Sequence, residues 1–348
     1  SQLADDAVGA RRISFVALFA AFSLRVGAVA AGWDWVQWLT PLGWKDLLEP
    51  YTADRFLLAI PAALAVLALA ASAWRLYSRR ELHGAYLKSA NRSGSRLRAA
   101  GVFSLTLRLG RRRLLGWLVG VVATAALIGS MAGSFVTLTK KNADYSDLLS
   151  KMSGGGEATS QIVSIFSVIV GIVIVCESAN AISSLAETEK KGILDVELAS
   201  RTSRSRVVAA HAVAGAVESA ILTAAGAVTL AVAVGLSLDW EHGREIAWKT
   251  ATQWPACVCL VGVGCLLYAL SRKLTAGVWA LVGWSFALSW FGKLLELPEW
   301  ASKTTLLGWS FSPSDTEHLP QALGLLAVGL AASALATAAC RRRDILAS

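Results

Sequence analysis

The sequence predicts an all-α polytopic membrane protein. Hydrophobic residues make up 55% of the 348 residues and charged residues only 16%. The apolar residues come in runs of about 18 to 30, and a helix needs about 20 of them to cross a bilayer. Lipid cannot satisfy free backbone amides, so the spans are expected to be helices. Eight are predicted, at residues 14–31, 56–77, 114–136, 161–183, 207–236, 253–271, 274–292 and 321–340.

Lysine and arginine are distributed unevenly around these spans. If Ser1 is cytoplasmic, 23 of the 33 basic residues fall on the cytoplasmic side, counting Arg75 at the inner end of the span 56–77, and nine fall in outer segments, with Arg25 inside a span. Loops rich in basic residues stay inside, so both ends of the chain are predicted to be cytoplasmic. The net charge of +9 then follows from membrane topology and gives no reason to expect a nucleic-acid partner.

Two pairs of landmarks suggest an internal repeat. Trp44 and Trp309 are 265 residues apart, and Arg80 and Arg342 are 262 apart. Nearly equal offsets indicate a repeating unit of about 263 residues with six spans, in the same orientation both times. A complete pair would need about 530 residues. The chain is therefore predicted to be a fragment of a longer polypeptide or one half of a split one.

This repeat divides the chain into three parts. Residues 1–78 are predicted to hold the last two spans of a first unit, and 114–348 a complete second unit. Residues 79–113 are strongly basic and form a predicted cytoplasmic linker. Its end is expected to be an elbow helix in the membrane interface that turns into the span at Leu114. A basic flank that only sets the topology is the alternative.

Motifs for catalysis or nucleotide binding are not visible in the sequence. The stretch GGGEATS at 154–160 lacks the G-K-[ST] ending that cradles phosphates, and neither a Ser/His/acid nor an HExxH pattern occurs. The five cysteines lie in or at the ends of spans without zinc-site spacing, so they are expected to pack as small apolar residues. No catalytic residue, cofactor or metal is predicted for this chain, and it is not predicted to be an enzyme.

Ionisable residues within spans are the best candidates for function. Glu218 lies near the middle of its span, His211 two turns before it on a similar face, and Glu177 in the inner third of the preceding span. A charged residue at the bilayer centre costs about 2.5–3.5 kcal/mol on insertion scales, so it usually faces a cavity or a partner. The three are predicted to line a translocation path or bind a cationic group. A buried hydrogen bond between helices is the alternative.

Four stretches of the sequence, in the order in which they occur, resemble one known family. They are WLTPLGW with a later PY, LRLGRRRLLGW at the start of the second unit, ETEKKGILDVELASRTSRSR, and the terminal CRRRDIL. Together they are similar to permease subunits of type-2 ATP-binding-cassette (ABC) exporters, in particular the two-repeat "exporter of polyketide antibiotics" type of actinobacteria. The resemblance implies the ABC-2 permease fold, a bacterial plasma membrane, and two separate ATPase subunits that bind ATP and magnesium.

The resemblance also implies a coupling helix at 185–206 that docks on the ATPase subunit. The family pattern transfers to Glu189, Gly192, Asp195, Leu198, Ala199 and Arg204, while Thr188 and Arg201 depart from it. The residues give separate support, because Leu194 and Leu198 share one helical side and the acids, including Glu187 and Glu197, precede the bases. A plain charged loop is the alternative.

In that family, outer helices join the fifth and sixth spans of a unit and close an outer gate. The corresponding residues here are Trp38, Pro41, Gly43, Trp44 and Trp309, and tryptophan suits the membrane interface. Simple anchoring in the headgroups is the alternative.

The function expected from the sequence is export of an amphipathic compound, an antibiotic or other natural product, a drug or a lipid, driven by a separate ATPase. A proton-driven secondary transporter that uses Glu218 and Glu177 is the second candidate. A membrane scaffold or sensor would fit the topology alone.

Overall fold

The computed structural model describes residues 59–78, 101–141, 158–190, 203–291, 304–311 and 318–341, together with the single positions 14, 17, 21, 35 and 313. Over these residues the ordered elements are α-helices and one short 3₁₀ helix. The all-α polytopic fold is therefore confirmed for the part of the chain that is described. The chain divides into two compact units, residues 1–97 and 98–348.

The first unit contributes helix α1, Ala59–Ser78, which coincides with the predicted span 56–77. Its 20 residues correspond to about 30 Å, the thickness of the hydrocarbon core. Large apolar side chains such as Leu64 and Leu67 are exposed along it, as contact with lipid requires. The predicted span 14–31 lies outside the described residues apart from isolated positions.

The second unit contains most of the described helices. Six apolar stretches are long enough to cross a membrane, and each overlaps one of the six spans predicted between 114 and 340. The helices are α2 (Val102–Ser130), α3 (Ala132–Lys141), α4 (Ala158–Lys190), α5 (Arg204–Ser237), α6 (Trp240–Ala251), α7 (Trp254–Leu270), α8 (Gly277–Phe291) and α9 (Leu319–Ala339), with a 3₁₀ helix at Arg272–Ala276 before α8.

Helix α2 differs from the predicted elbow. It runs without interruption from Val102 to Ser130, so the turn expected at Leu114 is absent and the basic residues before it belong to the same helix. The physical reason lies at Arg113, whose side chain makes ionic contacts with α4 and α5. An arginine with buried partners has no need to leave the packed region for the headgroups.

Helix α4 occupies the centre of the second unit. It contacts α2, α3, α5, α6, α7 and α8, and its side chains Ile174, Ile182 and Leu185 are fully buried. A helix that is apolar on all sides is expected in such a position. A polar residue on α4 consequently faces a neighbouring helix rather than lipid.

Helix α6 turns back against the end of α5. Asp239 caps it, because its carboxylate accepts a hydrogen bond from the backbone N–H of His242 at 2.9 Å. That bond, with a second one from the His242 ring, holds the pKa of Asp239 below its usual range. A Cβ on Gly243 would lie 2.8 Å from the Ala231 carbonyl oxygen, so the two helices touch backbone to backbone.

Helices α7 and α9 cross at a pair of glycines. A Cβ on Gly262 would lie 2.0 Å from the Gly329 carbonyl oxygen, and a Cβ on Gly329 would lie 2.6 Å from that of Val258. Association between membrane helices relies on such close approach, since lipid competes equally well for apolar side chains. The crossing therefore fixes the position of α9.

We expect Gly329→Ala to lower the free energy of unfolding by about 1–3 kcal/mol, because the added methyl group forces the backbones of α7 and α9 apart. Thermal unfolding of the purified protein in detergent measures the effect. Gly324→Ala is the matched control on the same helix, since a Cβ there meets nothing within 4 Å. Equal melting temperatures for the two variants would contradict the packing described here.

Candidate functional site

Three charged side chains from different helices meet inside the second unit. Arg113 of α2 donates from Nη2 to Glu218 Oε2 of α5, and its Nε lies 3.6 Å from Glu177 Oε1 of α4. Its Nη1 donates to Ser184 Oγ at 2.7 Å, two turns along α4 from Glu177. We call Arg113, Glu177 and Glu218 the ion cluster.

The ion cluster depends on local features of the helices that supply it. Gly110 lies one turn before Arg113, and a Cβ there would come within 2.5 Å of Glu218 Oε1. The missing side chain at Gly110 lets the Glu218 carboxylate approach the surface of α2. Ser184 holds the guanidinium from the other side and itself donates to the Ala181 carbonyl at 2.6 Å.

The ion cluster is almost completely removed from solvent. Glu177 and Glu218 are both 0% exposed, whereas the Arg113 side chain is 23% exposed. Among the described residues, neither carboxylate oxygen of Glu177 accepts a hydrogen bond, and neither does Oε1 of Glu218. Glu218 thus forms the close contact to Arg113, while Glu177 forms a longer one.

The structure brings together two of the three predicted path residues. Glu177 and Glu218 share Arg113, whereas His211 has its Nδ1 2.9 Å from the Val207 carbonyl oxygen in its own helix. Arg113 was not among the predicted path residues, because it falls within the predicted basic linker 79–113. The available signal was the run Arg111 to Arg113 at the start of a span, with two acids in later spans that lacked a counter-charge.

A second polar cluster lies toward the other end of α4, where α6 leads into α7. Lys249 contacts Glu245 at 2.7 Å and donates to Ser164 Oγ at 3.0 Å. The Gln253 side-chain amide donates to Ser167 Oγ at 2.7 Å. These five residues form the second polar cluster. A Cβ on Gly171 would lie 1.5 Å from Gln253 Oε1, so a side chain at this position would displace the amide from its place.

The predicted coupling segment is described only at its ends. Glu187 and Glu189 belong to the last turns of α4, and Arg204 is the first residue of α5. Helix α4 continues to Lys190, and within it the Thr188 hydroxyl donates to the Ser184 carbonyl at 2.7 Å. The remaining residues, Gly192, Leu194, Asp195, Glu197, Leu198 and Ala199, lie outside the described residues.

Of the predicted outer-gate residues, the structure describes Trp309. Its indole N–H donates to the Thr305 carbonyl at 2.8 Å, and its ring meets that of His318 edge-on at 5.5 Å. The outer helix predicted here is absent over 304–311, because Gly308 adopts a φ of 103° and turns the chain. Trp38, Pro41, Gly43 and Trp44 lie outside the described residues.

This irregular segment 304–311 is tied to the start of α7. The backbone N–H of Phe311 donates to Thr252 Oγ1 at 3.2 Å, next to the second polar cluster. The N–H of Leu306 donates to Ser285 Oγ of α8 at 3.1 Å. The segment therefore joins the connection between α6 and α7 to α8.

The described residues contain no group of three or more His, Cys, Asp or Glu side chains that could hold a metal ion. The chemistry of the two polar clusters is therefore that of carboxylate, guanidinium, amine, amide and hydroxyl groups, which bind charged and hydrogen-bonding partners.

Comparison with known proteins places this arrangement in a family. Residues 100–341 match the family described as the C-terminal domain of the multidrug efflux system permease Rv1217c. The chain belongs to this family. The matched region begins just before α2 and ends just after α9, so it coincides with the helices of the second unit.

A full-length relative is also similar to the whole chain. The multidrug efflux system permease protein Rv1217c of Mycobacterium tuberculosis is 26% identical over 355 residues, which cover 99% of this chain and 64% of the relative. The chain thus spans about two thirds of the length of that relative.

We expect Arg113→Gln to lower the free energy of unfolding by about 3 kcal/mol, because it leaves two buried carboxylates without their counter-charge. Melting in detergent measures this change. Arg112→Gln is the matched control, since the neighbouring Arg112 is exposed. If both substitutions lower the melting temperature equally, Arg113 contributes only as a basic flank of the span.

Proposed function

We propose that this chain forms part of the transmembrane permease of an ATP-binding-cassette exporter. It would move an amphipathic antibiotic or other natural product, a drug or a lipid out across the bacterial plasma membrane. The main support is the match of the second unit to the Rv1217c permease family. The multidrug efflux named for the relative from Mycobacterium tuberculosis supports an amphipathic substrate.

The energy for this transport would come from partner subunits. The chain lacks a phosphate-binding G-K-[ST] motif in its sequence, so two separate ATPase subunits would bind ATP and magnesium. They would dock at 185–206, between α4 and α5, on the cytoplasmic side of the predicted topology. The other repeat would lie in the same polypeptide or in a separate one, and a split subunit would dimerise.

The length of α4 suggests how docking of an ATPase subunit would affect the two polar clusters. The helix has 33 residues and is about 50 Å long. The docking segment adjoins its C-terminal end, the ion cluster contacts it at Glu177, and the second polar cluster contacts it at Ser164 and Ser167. A rigid helix that shifts at one end displaces both clusters, which is what alternating access needs.

The ion cluster would then face the transport path in one of the states. Glu177 and Glu218 are costly inside a membrane and are rarely kept without a use. Their dependence on one arginine makes the cluster sensitive to small movements between α2, α4 and α5.

A proton-driven transporter remains the second candidate. Glu177 favours it, because a buried carboxylate without a hydrogen-bond partner among the described residues can accept a proton. In that mechanism Glu177 and Glu218 would carry protons across the membrane and no ATPase subunit would be needed.

The docking proposal is tested by purifying the tagged protein from its own cells and identifying ATPase subunits that come with it. We expect Gly192→Pro combined with Leu198→Asp to abolish this association, because the proline breaks the helix and the aspartate removes its apolar side. Arg244→Asp on α6 is the control, since α6 lies at the other end of α4. Undiminished ATPase binding by the double variant would exclude 185–206 as the docking site.

The energy source is tested by transport into inside-out membrane vesicles. We expect uptake of an amphipathic dye to require ATP. Vanadate should inhibit this uptake, and a protonophore should leave it unchanged. Glu218→Gln should reduce the rate about tenfold or more, as the loss of a buried charge contact predicts. Transport that the protonophore inhibits and vanadate does not affect would instead establish the proton-driven alternative.

A further inference from the structure

The charges of the ion cluster do not balance. Arg113 supplies one positive charge to two carboxylates, so the cluster carries one surplus negative charge when both are ionised. The Arg113 hydrogen bonds go to Glu218 and Ser184, and its Nε makes none among the described residues. A buried charge is tolerated only when a partner compensates it.

The unused acceptors are concentrated on Glu177. Neither of its oxygens accepts a hydrogen bond from an N–H or hydroxyl donor in the described part of the chain, although the residue is 0% exposed, and the Glu218 carboxyl group lies beside it. The titratable groups that face it are Arg113 from α2, Glu218 from α5 and the Cys257 thiol from α7. A neutral thiol supplies no positive charge, and Arg113 is already bound closely to Glu218.

Arg113 is the accessible member of the cluster. Its side chain is 23% exposed, while the two carboxylates beneath it are buried. Its contact with Glu177 is also the longer of the two, at 3.6 Å. An incoming cation can therefore displace Arg113 from Glu177 without breaking the close contact between Arg113 and Glu218.

We propose that Glu177 is a binding site for the positive charge of a lipophilic organic cation, with Arg113 as the counter-ion that occupies the site when no cation is present. This inference rests on the proposed export function and specifies its substrate class. One bound monocation neutralises the cluster, whereas a neutral compound leaves the surplus charge and an anion increases it.

The test uses two probes of the same size and shape with opposite charge, tetraphenylphosphonium and tetraphenylborate. Binding is measured by equilibrium dialysis of the protein in phosphatidylcholine nanodiscs at fixed pH, with empty nanodiscs as the blank. We expect saturable binding of the phosphonium alone. Glu177→Gln should weaken it about tenfold or more, because the charge partner is removed.

Two variants control this comparison. Glu177→Asp keeps the charge and should retain the preference for the phosphonium. Glu241→Gln removes an exposed carboxylate near the start of α6, outside both polar clusters, and the affinity should stay within about twofold of the wild type because this carboxylate does not contact the ion cluster. Melting temperatures establish that each variant is folded before its binding is compared.

Two results would overturn the inference. One is equal binding of both probes. The other is phosphonium binding that Glu177→Gln leaves unchanged while the same variant loses a proton uptake that a pH indicator detects in the wild type. In that second case Glu177 binds a proton and not an organic cation.

A parallel transport assay separates this inference from the proposed export function. ATP-driven uptake of a neutral amphipathic dye without phosphonium binding would leave the export function in place and reject the cation site. Phosphonium binding that depends on Glu177, without any ATP-driven transport, would support the site and reject the exporter.

Discussion

The contact of Arg113 with Glu218 and Glu177 constrains the whole second unit, because two acids inside a membrane protein require a shared counter-charge. Helix α2 continues as one helix past Leu114 and carries Arg113 to its contacts with α4 and α5. Glycine at position 110 leaves space for the Glu218 carboxylate, which a side chain there would displace. The packing of α2, α4 and α5 and the position of the ion cluster are therefore linked.

Helix α4 carries this constraint through the unit. It is the central helix, and it contacts the ion cluster in its C-terminal half and the second polar cluster near its N-terminus. Both clusters join α4 to its neighbours by charge and hydrogen bonds, which hold a fixed geometry more specifically than apolar contacts do. At α6 and at the crossing of α7 with α9, glycines replace polar groups as the means of fixing helix position. The unit therefore combines close backbone contact at some helix crossings with ionic contact at others.

The match to the C-terminal domain of the Rv1217c permease covers residues 100–341, which contain the helices of the second unit. The similarity extends over nearly the whole chain, yet the chain spans only about two thirds of its relative from Mycobacterium tuberculosis. The irregular segment 304–311 shows how a connection between spans can be ordered without a helix, through side-chain hydrogen bonds to Thr252 and Ser285. Such a connection links α7 and α8 to one another at the end of the unit where the second polar cluster lies.

The sequence by itself determined the all-α membrane fold and the approximate position of each described span, because an apolar run of bilayer length has few other places to fold. It also identified Glu177 and Glu218, since a charge within such a run is conspicuous. Only the tertiary structure decided that Arg113, and not the equally basic Arg112 beside it, supplies their counter-charge. Which arginine reaches the two acids depends on which side of α2 faces α4 and α5. The packing of the helices determines that side. The same reason explains Gly171 and Gly329, whose need for a missing side chain appears only when the neighbouring helix is in place.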